Sequence, residues 1–272
     1  MTVFDPEIAA QAILPKEIGA KSMSLHLAIH LHPEMVQAMV FDYESQQILW
    51  LKKFDLDDTY DRTLARAVDF VNLKNWGDFV FRKTSISFDY PDFTLVPTGF
   101  LEDGKQSDLL KFSVGREPDN VEVYEVNEVG AAVLYDLPVI VQRLAERFPN
   151  ARFFPSVGFF LKDTLRSANG LHVLVQEGFM LAVVFHEGDM RLTNHYGIQN
   201  NEDVLYHLSN AAMRLNIHLA SAKVVLYGSD AGEGLKSLLE DYIETVEVWT
   251  SEVVKEPNAH LYYSSFIHSQ CV

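Results

Sequence analysis

The sequence predicts an α/β protein built as two tandem lobes, each a mixed sheet covered by helices, and two stretches carry that prediction. In Leu171–Tyr196, β-branched and aromatic runs of strand length are broken by short polar turns at Gln176–Gly178 and His186–Asp189, the pattern of three antiparallel strands. The middle run is apolar on both faces, with Phe179, Leu181, Val183 and Phe185 alternating with Met180, Ala182 and Val184, so its sheet must be covered on both sides. The same order occurs earlier, at Ser24–His32, Met35–Tyr43 and Ile48–Phe54, again ahead of a long helical segment. Division at 168/169 gives a first lobe, residues 1–168, with an N-terminal arm and an insertion, and a second lobe, residues 169–272.

Ahead of the first meander, Glu7–Leu14 is a short helical pattern stopped by Pro15. In the first strand Leu25, Leu27, Ile29 and Leu31 face one way, and Ser24, His26, Ala28, His30 and His32 the other. Imidazoles about 7 Å apart along one face suit a bridging metal, but no Asp, Glu or Cys beside them completes a ligand set, and the expected role is that of structural, half-buried histidines. Asp57 and Asp58 precede an amphipathic helix over Thr59–Trp76, where Tyr60, Leu64, Val68 and Val71 recur at helical spacing. Thr84–Phe88 and Phe93–Val96 are extended on either side of a turn at Tyr90-Pro91-Asp92. Thr98–Asn120 reads as an exposed connection in which Leu109, Leu110 and Phe112 are helix anchors, and Val121–Val126 and Ala131–Tyr135 return to strand. Pro138 opens a helix lined by Val141, Leu144, Ala145 and Phe148; Arg152–Phe154 is a strand and Ser156–Arg166 a crossover helix.

In the second half Asn200 or Asn201 caps a helix with Val204, Leu205, Leu208, Ala212 and Leu215 as its buried stripe. Lys223–Tyr227 is a buried strand, and Gly228-Ser229-Asp230-Ala231-Gly232-Glu233 turns into a helix carrying Leu235, Leu238, Leu239 and Tyr242. Asp230 with Glu233 is read as a capping box. Glu247–Trp249 is a last strand and Ala259–His268 a terminal helix.

Composition narrows the function. Basic residues number 22 against 38 acidic ones, a formal charge of −16, which opposes binding to nucleic-acid phosphates or anionic lipid. Cys271, the single cysteine, cannot form an intrachain disulfide or a multi-cysteine metal site. No stretch approaches the roughly 18 apolar residues of a membrane span, and Met1–Ala12 has no signal-like pattern, so no membrane insertion and a cytoplasmic location are expected.

Three antiparallel strands, a helix, a strand, a helix, a strand and a helix make the order of a ribonuclease-H-like lobe. Two in tandem resemble the superfamily of actin, sugar kinases and heat-shock chaperone ATPases. More narrowly, Leu95-Val96-Pro97, Phe148-Pro149, Asn194-His195-Tyr196, Glu202-Asp203-Val204-Leu205-Tyr206 and Leu226-Tyr227-Gly228 resemble an uncharacterised bacterial family to which an actin-like fold is attributed. The superfamily's chemistry implies an acidic residue and glycine in the first hairpin turn of each lobe, where backbone N–H groups hold phosphates and carboxylates organise hydrated magnesium. The first turn here, His30-Leu31-His32-Pro33-Glu34, has no glycine and a proline without an N–H. Gln176-Glu177-Gly178 keeps one glycine and a carboxylate, and Gly228-Ser229 stands where the adenosine-binding glycines follow a strand.

The resemblance thus puts cofactor-binding candidates at Glu177, Gly178, Gly228 and Ser229, while no catalytic residue, no metal site and no resident cofactor are assigned. Ser156, Ser209 and Ser229 lie outside any nucleophile-elbow pattern, and His186 and His195 have no partner identifiable from spacing. The function implied is a non-catalytic actin-like binding or adaptor protein holding an unknown protein partner. The alternative is an ATP-dependent phosphotransferase or ATPase with an atypical phosphate site.

Overall fold

In the computed structural model of the chain, which describes residues 13–45, 47–56, 64–101, 104–251 and 259–271, both meanders are present strand for strand. Pro15, with fixed φ and no N–H, begins the short helix α1 (Lys16–Ala20), whereas the helical pattern Glu7–Leu14 lies almost wholly outside the described residues. The first meander is β1 (His26–His32), β2 (Met35–Asp42) and β3 (Gln47–Asp55), followed by α2 (Leu64–Asn72). Residues 57–63, with the Asp57-Asp58 pair, lie outside the description. At the β2–β3 turn Asp42 accepts from Glu44 N–H at 2.9 Å and from the Ser45 hydroxyl at 2.7 Å, a carboxylate used as a turn former.

Next come β4 (Lys83–Phe88) and an insertion of β5 (Phe93–Pro97), α3 (Gln106–Val114), β6 (Val121–Val126) and β7 (Ala131–Asp136). Two one-turn helices, α4 (Val139–Gln142) and α5 (Leu144–Arg147), then lead through β8 (Ala151–Pro155) to α6 (Ser156–Thr164). The second half repeats the order: β9 (Gly170–Gln176), β10 (Phe179–His186), β11 (Asp189–Gly197), α7 (Asn201–Arg214), β12 (Lys223–Tyr227), α8 (Glu233–Glu240), β13 (Thr245–Val248) and α9 (Tyr263–Cys271).

Sheet order confirms that one unit is used twice. The large sheets run β3-β2-β1-β4-β8 and β11-β10-β9-β12-β13, each an antiparallel meander extended by two parallel strands. Even the irregularity repeats: a register shift falls between Val40 and Phe41 of β2 and between Val184 and Phe185 of β10, the same place along each middle strand. Packing divides the chain into Met1–Gly158 with Ser265–Val272, and Phe159–Ser264. The chain therefore changes unit inside α6, ahead of the Asn169-Gly170 turn at which the sequence was divided, and returns inside α9.

Each unit has its own core. In the first, Trp76 is fully buried against Trp50, Phe54 and Phe70, with ring centroids 5.7, 5.9 and 6.2 Å away. In the second, Val173, Met180, Ala182, Val184, Leu208 and Leu226 pack under α7 and α8. Of the two caps expected for α7, Asn200 and Asn201, Asn200 takes the position, accepting from Asp203 N–H while the Asp203 carboxylate accepts from Asn200 N–H. The insertion forms a separate sheet, β5-β7-β6, tied down by Arg116, which bonds Tyr90, Asp92 and the buried Asp136. Two predicted anchors are exposed, Phe112 at 92% and Tyr242 at 56%, and Ala145 is exposed too; Leu110 and Ile243 take the inward positions.

The strand histidines are fully rather than half buried. His26 shares hydrogen bonds with the Tyr43 hydroxyl (2.9 Å) and the Ser85 hydroxyl (2.6 Å), and His268 of α9 packs edge-on against its ring. Burial, with Lys83 nearby, pushes His26 down to about 3. On acidification the unfolded chain therefore takes up a proton at His26, near the usual 6.5, that the folded chain refuses, and stability falls with pH. The loss expected between pH 7 and pH 5 from this residue is about 2 kcal/mol. His26→Gln should flatten the urea-denaturation profile by that amount, and an unchanged slope would show that His26 is not held neutral.

Candidate functional site

In a mixed sheet of this order, the C-terminal ends of the parallel strands and the first hairpin turn meet at one edge, where a ligand is ordinarily held. In the first unit that edge is the Pro33-Glu34 turn and the ends of β1 and β4. Pro33 has no N–H, and the Glu34 N–H donates to His32 Nδ1 at 3.1 Å. The turn therefore offers no free backbone donor to a phosphate.

Behind it lies a buried polar cluster. His30 Nδ1 meets the Ser87 hydroxyl at 3.0 Å, and His30 Nε2 lies 3.0 Å from Asp89 Oδ2, close in charge contact but off the line of a hydrogen bond. Ser156, at the start of α6, donates to Asp89 Oδ1, and the Asp89 N–H donates to Leu31 O at 3.0 Å. Burial pushes the Asp89 carboxyl up, but His30, His32 and the Ser156 hydroxyl outweigh it and hold the acid below its usual value. The Ser87-His30-Asp89 alignment resembles a proton relay in outline, yet all three groups are buried, so no substrate reaches the serine. Among the described residues no group of three or more His, Cys, Asp or Glu is placed to hold a metal ion.

In the second unit Glu177 and Gly178 form the equivalent turn, with Gly178 left-handed at φ 78°. Both are exposed, and among the described residues their N–H groups have no partner. The register pairs Tyr227 with Leu174, which sets Gly228 beside Val175, two residues before the turn. Gly178, Glu177, Gly228 and Ser229 thus share one edge of one sheet. The loop after β12 is stitched to β9: Asp230 N–H donates to Val175 O at 3.2 Å, and a Cβ added at Gly228 would strike the same carbonyl oxygen. Close strand packing already explains that glycine.

The expected capping box at Asp230 and Glu233 does not form. Gly232 is the N-cap of α8 and no side chain caps it, because the tie to Val175 places Asp230 two residues too early. Asp89 escaped sequence reasoning; its signal was an acid closing an apolar strand just before Tyr90-Pro91.

Two units of this strand order, each bringing its hairpin turn and the loop after its fourth strand to one edge, define an actin-like ATPase fold. A protein from Bacteroides thetaiotaomicron VPI-5482, described as having an actin-like ATPase fold and unknown function, superposes with a TM-score of 0.79 at 16% identity, over 93% of this chain and 98% of its own. A structure of the PilM-PilN type IV pilus biogenesis complex matches with a TM-score of 0.57 at 10% identity, over 90% of this chain and 96% of that one. The chain belongs to the family described as protein of unknown function (DUF3822), whose pattern matches residues 17–246. No curated protein matches it.

The two glycines should respond differently to a methyl group. Gly228→Ala meets both a positive φ and a backbone oxygen, and should cost about 3 kcal/mol. Gly178→Ala meets only the left-handed backbone in open space and should cost about 1 kcal/mol. Urea melts of both variants measure this, and equal losses would mean that Gly228 is not held against β9.

Proposed function

We propose that this protein is a non-catalytic actin-like binding or adaptor protein that uses its two-unit fold to hold a protein partner. The observation that carries the reading is the first-unit turn, where Pro33 lacks a donor and the Glu34 N–H is already given to His32. Phosphoryl transfer depends on positioned donors and cations around the phosphates, and a missing transition-state donor costs on the order of 3 kcal/mol. Only the second-unit turn keeps free N–H groups, with Glu177 as its one carboxylate. Half a phosphate site supports weak anion binding, not turnover. The adaptor reading draws further support from the similarity in fold to a structure described as a complex, PilM-PilN. Among the described residues no helix is long and apolar enough to cross a membrane.

The second reading, an ATP-dependent phosphotransferase with an atypical site, rests on Asp89, an acid held below its usual value at the end of β4. Ser156 donates to one of its oxygens and His30 Nε2 stands 3.0 Å from the other, so the buried carboxylate faces protein groups rather than a metal.

The purified protein is expected to show no magnesium-dependent ATPase or sugar-kinase activity, and Glu177→Gln should change stability by less than about 0.5 kcal/mol. A nucleotide bound at 100 times its Kd would raise stability by about 2.7 kcal/mol, so a thermal-shift screen with ATP, ADP and GTP reads binding directly. Steady turnover near about 1 per second that disappears in Glu177→Gln would overturn the adaptor reading. Turnover that survives Glu177→Gln but vanishes in Asp89→Asn would establish the phosphotransferase instead.

A further inference from the structure

The opposite end of the first-unit sheet gathers cations. Lys83 pairs with His26 and Arg152 with Ser85, so the strand register sets Lys83 and Arg152 on one face at the N-terminal ends of β4 and β8. Arg82 precedes Lys83 in a segment held by its own backbone, with the Arg82 N–H on Ser22 O at 3.2 Å and the Lys83 N–H on Leu25 O at 3.4 Å. Together with Tyr43, Thr84 and Asn150 these three cations line a cavity of about 390 Å³.

Their surroundings point to an anion. In a chain with 38 acidic residues against 22 basic ones, a cation ordinarily finds a carboxylate, yet among the described residues none of these three forms an ion pair. Burial and the fields of Arg152 and Arg82 push the Lys83 ammonium below its usual value, the mark of like charges held together without a counterion. The Tyr43 wall is rigid: its ring stacks on His26 at 5.6 Å and an interplanar angle of 10°, its hydroxyl is bonded to His26 Nδ1, and Lys83 Nζ stands 5.9 Å from its centroid. A cavity of this size falls in the range of small-molecule sites, roughly 300–1,000 Å³, and has room for more than a bare oxyanion. It lies about 20 Å along β1 from the Pro33-Glu34 turn, at the other end of the first-unit sheet.

We propose that this cavity binds a small phosphomonoester, its dianionic phosphate held by Arg82, Lys83 and Arg152 and its organic part lying against Tyr43. Guanidinium forks match phosphate oxygens two at a time, and Asn150 supplies a neutral donor for the rest of the ligand. The proposal is independent of whether ATP is bound or turned over.

Calorimetric titration of the full chain at fixed ionic strength, with glycerol 3-phosphate, AMP, inorganic phosphate and citrate, tests it. At least one ester should bind tenfold more tightly than inorganic phosphate or citrate. Arg82→Gln and Arg152→Gln should each weaken that binding at least tenfold, whereas Arg191→Gln, which removes an exposed cation of β11 outside the cavity, should leave it unchanged. The arginine side-chain N–H signals of the unaltered protein, followed by NMR during the same titration, should shift at Arg82 and Arg152, a readout that needs no variant to fold. Absence of saturable binding, equal binding of citrate or inorganic phosphate, or ester binding that persists in the double arginine variant overturns the assignment.

Discussion

A strand covered on both faces must find a partner inside the protein for every polar atom it carries, since each unmet group costs about 1–3 kcal/mol. β1 is such a strand, and it carries three imidazoles. The arrangement of the first unit follows from meeting them. Ser85, Ser87 and Asp89, spaced by two along the neighbouring parallel segment, stand on one face and serve His26 and His30 in turn. His32, at the strand end, takes the one donor that the adjoining turn possesses. The same requirement that completes the core thus removes the turn from phosphate binding.

The second unit shares the strand order, the two-residue turn and the bulge, but not this polar load. At the positions matching His26, His30 and His32 it carries Gly170, Leu174 and Gln176, and Gln176 donates to Ser264 at 2.9 Å rather than to its turn. Backbone geometry was kept in both copies because a slip of one residue would turn a buried face outward. Side-chain chemistry was free to diverge, and it divides the units into one with a satisfied turn and one with free N–H groups.

Much of this was legible from residue order. β-branched alternation located each large-sheet strand to within a few residues, and the Asn200-Asn201 pair placed the start of α7, with Asn200 the residue that caps it. Local pattern failed where distant backbone intervened. Asp230 and Glu233 have the spacing of a capping box, but a bond to Val175, far away in sequence, decides where α8 begins. Phe112 and Tyr242 have the character of core residues yet face solvent: in α3 Leu110 already fills the inward position, and α8 ends at Glu240, so Tyr242 stands in the turn beyond it while Ile243 goes inward. Arg82, Lys83 and Arg152 drew no notice, being separated by most of the insertion.

The sequence by itself determined the duplicated α/β architecture, because strand and helix periods are properties of consecutive residues. It also determined that the first turn cannot offer a full set of donors, since proline has no N–H wherever it stands. Only the tertiary structure decided that the Glu34 N–H belongs to His32, that Asp89 is held ionised beside His30, and that three cations far apart in the chain share one cavity. Those facts depend on which strands lie side by side and in what register, and parallel pairing through long crossovers leaves no mark in any local stretch of residues.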